Sequence, residues 1–231
     1  MSDLQGFGFV LPHWLYWGWL AVMPLVMMYM ARREAQRRPQ QAIPDEETAL
    51  DILAEEDPVQ QDNGNRVTRV IDWISDKSGV FVAFWTVNAV VIYFYEVVMR
   101  YLFNMPTIWV HEASYLLFGM QYLLAGGFAM LYGAHVRVDI IYVKLPPRGR
   151  VGMDIFTSIF FFIFALALCA TSWHFFTDSY QMGEVTMETW GIQHWPVKMM
   201  MFLGSALILM AGVSKLIKDL RLFIKMGEAQ S

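Results

Sequence analysis

Glu96 and Arg100 stand four residues apart inside an otherwise apolar run, with the acid first. That order favours an ion pair on one face of a helix, because it agrees with the helix dipole. A second acid, Glu112, follows His111 at the start of another apolar run, Asp154 opens a third, and Lys215 and Lys218 close a fourth. Acids at helix starts and bases at helix ends are where the peptide dipoles stabilise them. Ionisable groups within hydrocarbon are costly, so each must find a partner or serve a function. The chemistry open to this set is charge pairing and helix anchoring, or direct contact between the Glu96–Arg100 pair and an ion or substrate. His111 and His174 fall at comparable depths of successive runs, and two such histidines can hold a haem iron. Neither lies well inside its run and no second pair exists for an electron path, so hydrogen-bonded histidines are the expectation. His13 and His194 sit among aromatic residues. The lone cysteine, Cys169, excludes an intramolecular disulfide and a cysteine zinc site. There is no phosphate-binding glycine loop, no HExxH and no Ser-His-Asp set. The expectation is a non-enzyme without metal or cofactor.

The elements that position these groups follow from composition. Apolar residues make up 56% of the 231 and charged residues 16%, against about 25% charge in an ordinary soluble domain. Residues 31–77 hold 18 of the 38 charged side chains, so the rest is too poor in charge to cover a water-exposed surface. A net charge of −4 implies no nucleic-acid surface. Five runs reach the roughly 20 apolar residues a spanning helix needs: about 9–30, 80–102, 108–134, 151–176 and 196–217. None alternates as a barrel strand would. The first run is followed by Arg32, Arg33, Arg37 and Arg38 rather than by a cleavage site, so it reads as an uncleaved anchor. Fifteen of the 17 Lys and Arg fall on alternate faces of a five-span model, leaving Arg100 and Lys198 at helix ends. The positive-inside rule then puts the N-terminus in the periplasm and the C-terminus in the cytoplasm.

Three regions follow: an N-terminal anchor over 1–31, an acidic cytoplasmic linker over 32–65, and a four-span domain over 66–231. Asp45, Glu46, Glu47, Asp51, Glu55, Glu56, Asp57 and Asp62 make the linker acidic. Val67, Val70, Ile71 and Ile74 recur at helical spacing within 66–77, which predicts an amphipathic interfacial helix meeting its span at a Ser78–Gly79 bend. Gly126, Gly127, Gly204, Ser205, Ala206, Ala211 and Gly212 are small enough to let membrane helices approach closely.

One pattern is more specific. Arg100-Tyr-Leu-Phe-Asn104 is followed by Trp109 and Glu112, then by His135-Val-Arg137-Val-Asp139 and Leu145–Pro146. Over about residues 70–225 this resembles the small (DctQ-type) membrane subunit of tripartite ATP-independent periplasmic (TRAP) transporters. The resemblance implies an all-α integral membrane protein of the bacterial inner membrane: a four-helix bundle, here with one added N-terminal span. It implies a non-catalytic scaffold that packs against the large TRAP membrane subunit. That subunit takes up an organic acid or similar solute with an ion gradient, and a periplasmic solute-binding protein delivers the solute. Arg100, Asn104, Trp109 and Glu112 would hold the turn between spans two and three. His135, Arg137 and Asp139 would hold the cytoplasmic elbow or meet lipid headgroups. The extra span and linker depart from the four-span pattern. They leave open a second reading, an accessory subunit of another inner-membrane complex, respiratory or photosynthetic, held through residues 1–65. A small haem or quinone redox protein is a third.

Overall fold

The computed structural model describes residues 10–37, 65–133 and 145–228. The acidic stretch 39–64 and the motif residues His135, Arg137 and Asp139 lie outside the described residues. The described residues form five helices: α1 (His13–Arg37), α2 (Arg66–Tyr101), α3 (Val110–Leu131), α4 (Pro147–Met182) and α5 (Trp195–Glu228). Each is long and apolar enough to cross a membrane. Among the described residues there is no strand, only an isolated bridge between Val185 and Gln193. The all-α membrane architecture with an additional N-terminal helix is therefore as the composition and the resemblance predict.

Helix lengths differ from expectation in an informative way. The 22 residues of α3 span about 33 Å, close to the roughly 30 Å of a hydrocarbon core. The 36 residues of α2 form one helix about 54 Å long, so residues 66–77 and the span belong to the same helix, with no break in it at Ser78–Gly79. Gly79 serves another purpose. A β-carbon there would lie 2.2 Å from the Phe128 ring and 2.6 Å from Phe128 Cβ, so the missing side chain lets α2 and α3 touch. A glycine that reads as a hinge in sequence is a contact point in the fold.

Local signals stop the helices where they end. Asn104 takes a left-handed backbone (φ 51°), and the Met105 amide returns to the Met99 carbonyl, six residues earlier, at 3.0 Å, tying the turn back onto the end of α2. Asn is the non-glycine residue best suited to that conformation. Gly183 (φ 61°) ends α4 in the same region, and the Glu184 amide bonds the Ser179 carbonyl at 3.1 Å.

The chain packs as two units. One gathers α1, Val80–Leu123 and Ser172–Phe202. The other, from the described residues, takes the beginning of α2 through Gly79, the end of α3 from Leu124, α4 through Thr171 and α5 from Leu203. In this second unit the small residues act as predicted. A β-carbon on Gly126 would meet the Ile208 side chain at 2.5 Å, Gly127 lies against Leu207, and one on Gly212 would meet the Phe161 ring at 2.3 Å. Helix α4, whose residues through Thr171 belong to the second unit and from Ser172 to the first, has a stripe that went unread in the sequence. Val151, Ala165, Ser172 and Ser179 are all buried, separated by 14, 7 and 7 residues. A seven-residue period keeps one narrow seam facing its neighbours, and three of its four residues are small.

Candidate functional site

Glu96 and Arg100 do pair, with the Arg100 Nε 2.9 Å from Glu96 Oε1. The second carboxylate oxygen does more. Glu96 Oε2 accepts the Thr107 amide at 3.0 Å and also the Thr107 hydroxyl. One acid on α2 thus pins the far side of the turn that leads to α3, and Asn104 supplies the reversal between them. Arg100 pairs with Glu96 within α2 and Asn104 lies in the turn, while Thr107 is a partner the sequence did not flag. The Arg100 side chain is 52% exposed, so its pairing is screened by solvent. We expect Glu96→Ala to lower stability by about 1–2 kcal/mol. Arg100→Gln should cost less than about 0.5 kcal/mol, because Thr107 keeps its acceptor. Thermal unfolding of the purified variants in one detergent checks the ranking.

Glu112 is buried, 2% exposed, in the first turn of α3. Its Oε1 accepts the Thr186 hydroxyl from the α4–α5 connection. Its Oε2 has no hydrogen-bond partner among the described residues. The connection itself is a small folded piece. The Thr186 amide bonds the Ile192 carbonyl at 2.9 Å, the His194 amide bonds the Glu184 carbonyl at 3.0 Å, and Gly191 (φ 62°) turns the chain between them. Trp190 is buried beneath it, with ring centroids 5.3 Å from Tyr16, 5.3 Å from His13 and 6.0 Å from Trp109. Trp109, expected as a turn residue, belongs to this aromatic cluster. His111 leans on Tyr115, and His174 is exposed on α4.

The added helix is part of the same cluster. Trp190 Nε1 donates to the Leu11 carbonyl at 2.9 Å, and His13 Nε2 lies 3.1 Å from the Trp190 carbonyl. Tyr16 hydroxyl donates to the Ala113 carbonyl at 2.7 Å, and Trp19 Nε1 donates to Asn88 Oδ1 at 2.7 Å. The remaining contact has a covalent cause. Pro24 has no amide hydrogen, so the Leu20 carbonyl four residues earlier loses its helical donor. Trp85 Nε1 on α2 supplies one at 2.9 Å. Tyr16, Leu20 and Pro24, at intervals of four, are the buried stripe of α1. The question of where the extra span packs is answered within the chain: it lies on α2, α3 and the α4–α5 connection.

Charges at two other places also hold the fold. In the second unit Asp72 accepts from Lys218 Nζ at 2.7 Å and from the Ser214 hydroxyl at 2.7 Å, joining α2 to α5. Tyr132 hydroxyl donates to Asp76 at 3.0 Å, and burial together with that bond pushes the phenol up to about 12. In the first unit the Lys198 ammonium donates to Glu184 and holds that carboxyl below the usual carboxylate range. A depressed acid stabilises the fold above its ordinary pKa, and that contribution is lost as the pH falls through the folded value. Acidifying from about pH 6 to about pH 3 should therefore raise amide hydrogen exchange across residues 184–194 more in the native chain than in Glu184→Gln, after correction for intrinsic rates. The effect is small, because the carboxyl is 43% exposed.

Among the described residues no group of three or more His, Cys, Asp or Glu side chains is placed to hold a metal ion. The polar contacts found here join helices to helices and helices to turns. No curated protein matches the chain. A family model, described as tripartite ATP-independent periplasmic transporters, DctQ component, matches residues 89–222. That stretch begins within α2, one residue after Asn88, and includes α3, α4 and nearly all of α5. It is more than half of the chain, which therefore belongs to the DctQ family: it is a multi-pass inner-membrane protein and a small permease subunit of a TRAP transporter.

Proposed function

We propose that the chain is a fixed scaffold that translocates no solute itself. It packs against the large TRAP membrane subunit and helps a periplasmic solute-binding protein to dock, for ion-gradient-driven uptake of an organic acid or similar solute. The family match over the four-span core carries this reading. The bonding of the helix acids supports it: Glu96 holds Thr107, Glu112 holds Thr186, and Asp72 holds Lys218 and Ser214. Groups committed to helix ties suit a rigid frame better than a solute path. The distribution of Lys and Arg supports an N-terminus in the periplasm and a C-terminus in the cytoplasm. In that orientation the Glu96–Thr107 turn and the Trp190 cluster face the periplasm. They are then the parts placed to meet a solute-binding protein.

A second reading, an accessory subunit of a respiratory or photosynthetic complex, draws on one observation. Helix α1 and the first 23 residues of α2 lie outside the family match. Purification of the tagged chain from its native membrane in mild detergent, with mass spectrometry of what accompanies it, separates the two. A large multi-span transport subunit in equal amount supports the scaffold. Recovery of a redox or photosynthetic complex in its place overturns it.

A further inference from the structure

The second unit contains an exposed face that its position does not explain. Helix α3 ends at Leu131, and the bond from Tyr132 to Asp76 marks the level on α2 where that shorter helix stops. Ten residues of α2 precede Asp76, so its start lies about 15 Å past this level. Helix α5 runs antiparallel to it, pairs at Lys218 with Asp72, and continues ten residues to Glu228. Since α3 already matches the hydrocarbon thickness, both overhangs leave the apolar layer.

A water-level helix end is expected to show polar side chains outward. The reverse is found. Thr68 and Ser75 are buried, while Val67, Val70 and Trp73 are 60%, 57% and 60% exposed. Arg66 and Arg69 share this side, since 66, 69, 70 and 73 fall at the i, i+3, i+4, i+7 spacing of one helical face. Neither arginine forms a salt bridge within the described residues, whereas Asp72 and Asp76 are engaged with Lys218 and Lys77. The result is a basic and apolar surface. Apolar patches rimmed by charge mark places where another segment binds. Lipid is a poor occupant. Val67 lies about 13 Å beyond the end of α3, whereas the headgroup layer is only about 5–7 Å deep.

We propose that residues 45–57 of this same chain dock on the Arg66–Trp73 face. The complement is chemical. The stretch carries seven acids, no Lys or Arg, and Leu50, Ile52 and Leu53 among them. It is also tethered at the right place. Asp57 is nine residues from Arg66, a reach of up to about 30 Å, while the face from Arg66 to Trp73 is about 10 Å long. A tether of this length keeps the segment at millimolar effective concentration, so weak contacts suffice. Screened ion pairs to Arg66 and Arg69 then add to the burial of Val67, Val70 and Trp73.

The test uses the full-length chain in membrane vesicles. Cys169→Ala removes the native thiol, Val70→Cys places a reporter on the face, and a membrane-impermeant maleimide is applied to open vesicles. In the acidic chain labelling should be slow at low salt and should quicken with salt. Neutralising the acids (Glu46→Gln, Glu47→Gln, Glu55→Gln and Glu56→Gln together) should raise the low-salt rate by about three- to tenfold and abolish the salt effect. Ile224→Cys, exposed on α5, should label at one rate in both backgrounds and so reports an intact fold. Equal rates at Val70→Cys with and without the acids overturn the proposal. Fast rates would mean an open face, and slow rates a cover other than this segment, such as a second protein.

Discussion

Trp85→Phe should destabilise the folded chain by about 2 kcal/mol, and Pro24→Ala should remove most of that cost. The indole is 2% exposed and its Nε1 is the donor for the Leu20 carbonyl. Phenylalanine keeps much of the packing but leaves that carbonyl in an apolar setting with no donor, because residue 24 is proline. Inside a membrane such a group finds no water. Alanine at 24 restores the ordinary helical donor, so the loss of the indole then matters little. Thermal unfolding of the two single variants and the double variant closes the cycle. Additive single effects would show that Trp85 acts by packing alone.

The two closest glycine contacts should respond to compensation in opposite ways. Gly79→Ala brings a methyl to 2.2 Å from the Phe128 ring and 2.6 Å from its β-carbon. Gly212→Ala brings one to 2.3 and 3.0 Å from the far edge of the Phe161 ring. Overpacking of this kind costs about 1–3 kcal/mol. Phe161→Leu removes the atoms in conflict and should rescue Gly212→Ala. Phe128→Ala retains its β-carbon, so it should fail to rescue Gly79→Ala, and α2 and α3 must part. Folded yield and unfolding temperature in detergent give both comparisons. Rescue at Gly79 would show that the helices slide to accommodate the methyl.

Much of this fold was legible because lipid admits few solutions. Five apolar runs gave five helices, and the combined pattern from Arg100 through Glu112 and His135-x-Arg137-x-Asp139 to Pro146 gave the family. The small residues Gly126, Gly127 and Gly212 were read as packing points and are. What escaped the sequence were relations between distant residues. Glu96 and Arg100 are visible as an i, i+4 pair, but the second partner, Thr107, sits across a turn, where spacing carries no signal. The bond between Glu112 and Thr186 spans 74 residues. Pro24 is visible inside the first run; its consequence, a carbonyl needing an outside donor, could have led to a search for a buried Trp at matching depth. Hydropathy placed the start of the second span near residue 80, because the charges of residues 66–77 mask a helix that does not stop. The glycine at 79 was taken for a bend because sequence shows the missing side chain and hides Phe128, the residue that needs the space.

The contacts of Trp190 impose an order of events on synthesis. Helix α1 precedes the other described helices, yet its start finds partners only 177 and 179 residues later, when His13 and Leu11 meet Trp190. At about 5–20 residues per second, that partner emerges some 10 to 35 s behind. During this interval α1 can hold α2 and α3 through Trp85, Asn88 and Ala113, but its leading end stays unfastened. The start of α1 is fastened to Trp190 only once α4 has been made and the connection behind it has folded. A ribosome that stalls before residue 190 leaves a product with a loose first helix, recognisable to a membrane protease.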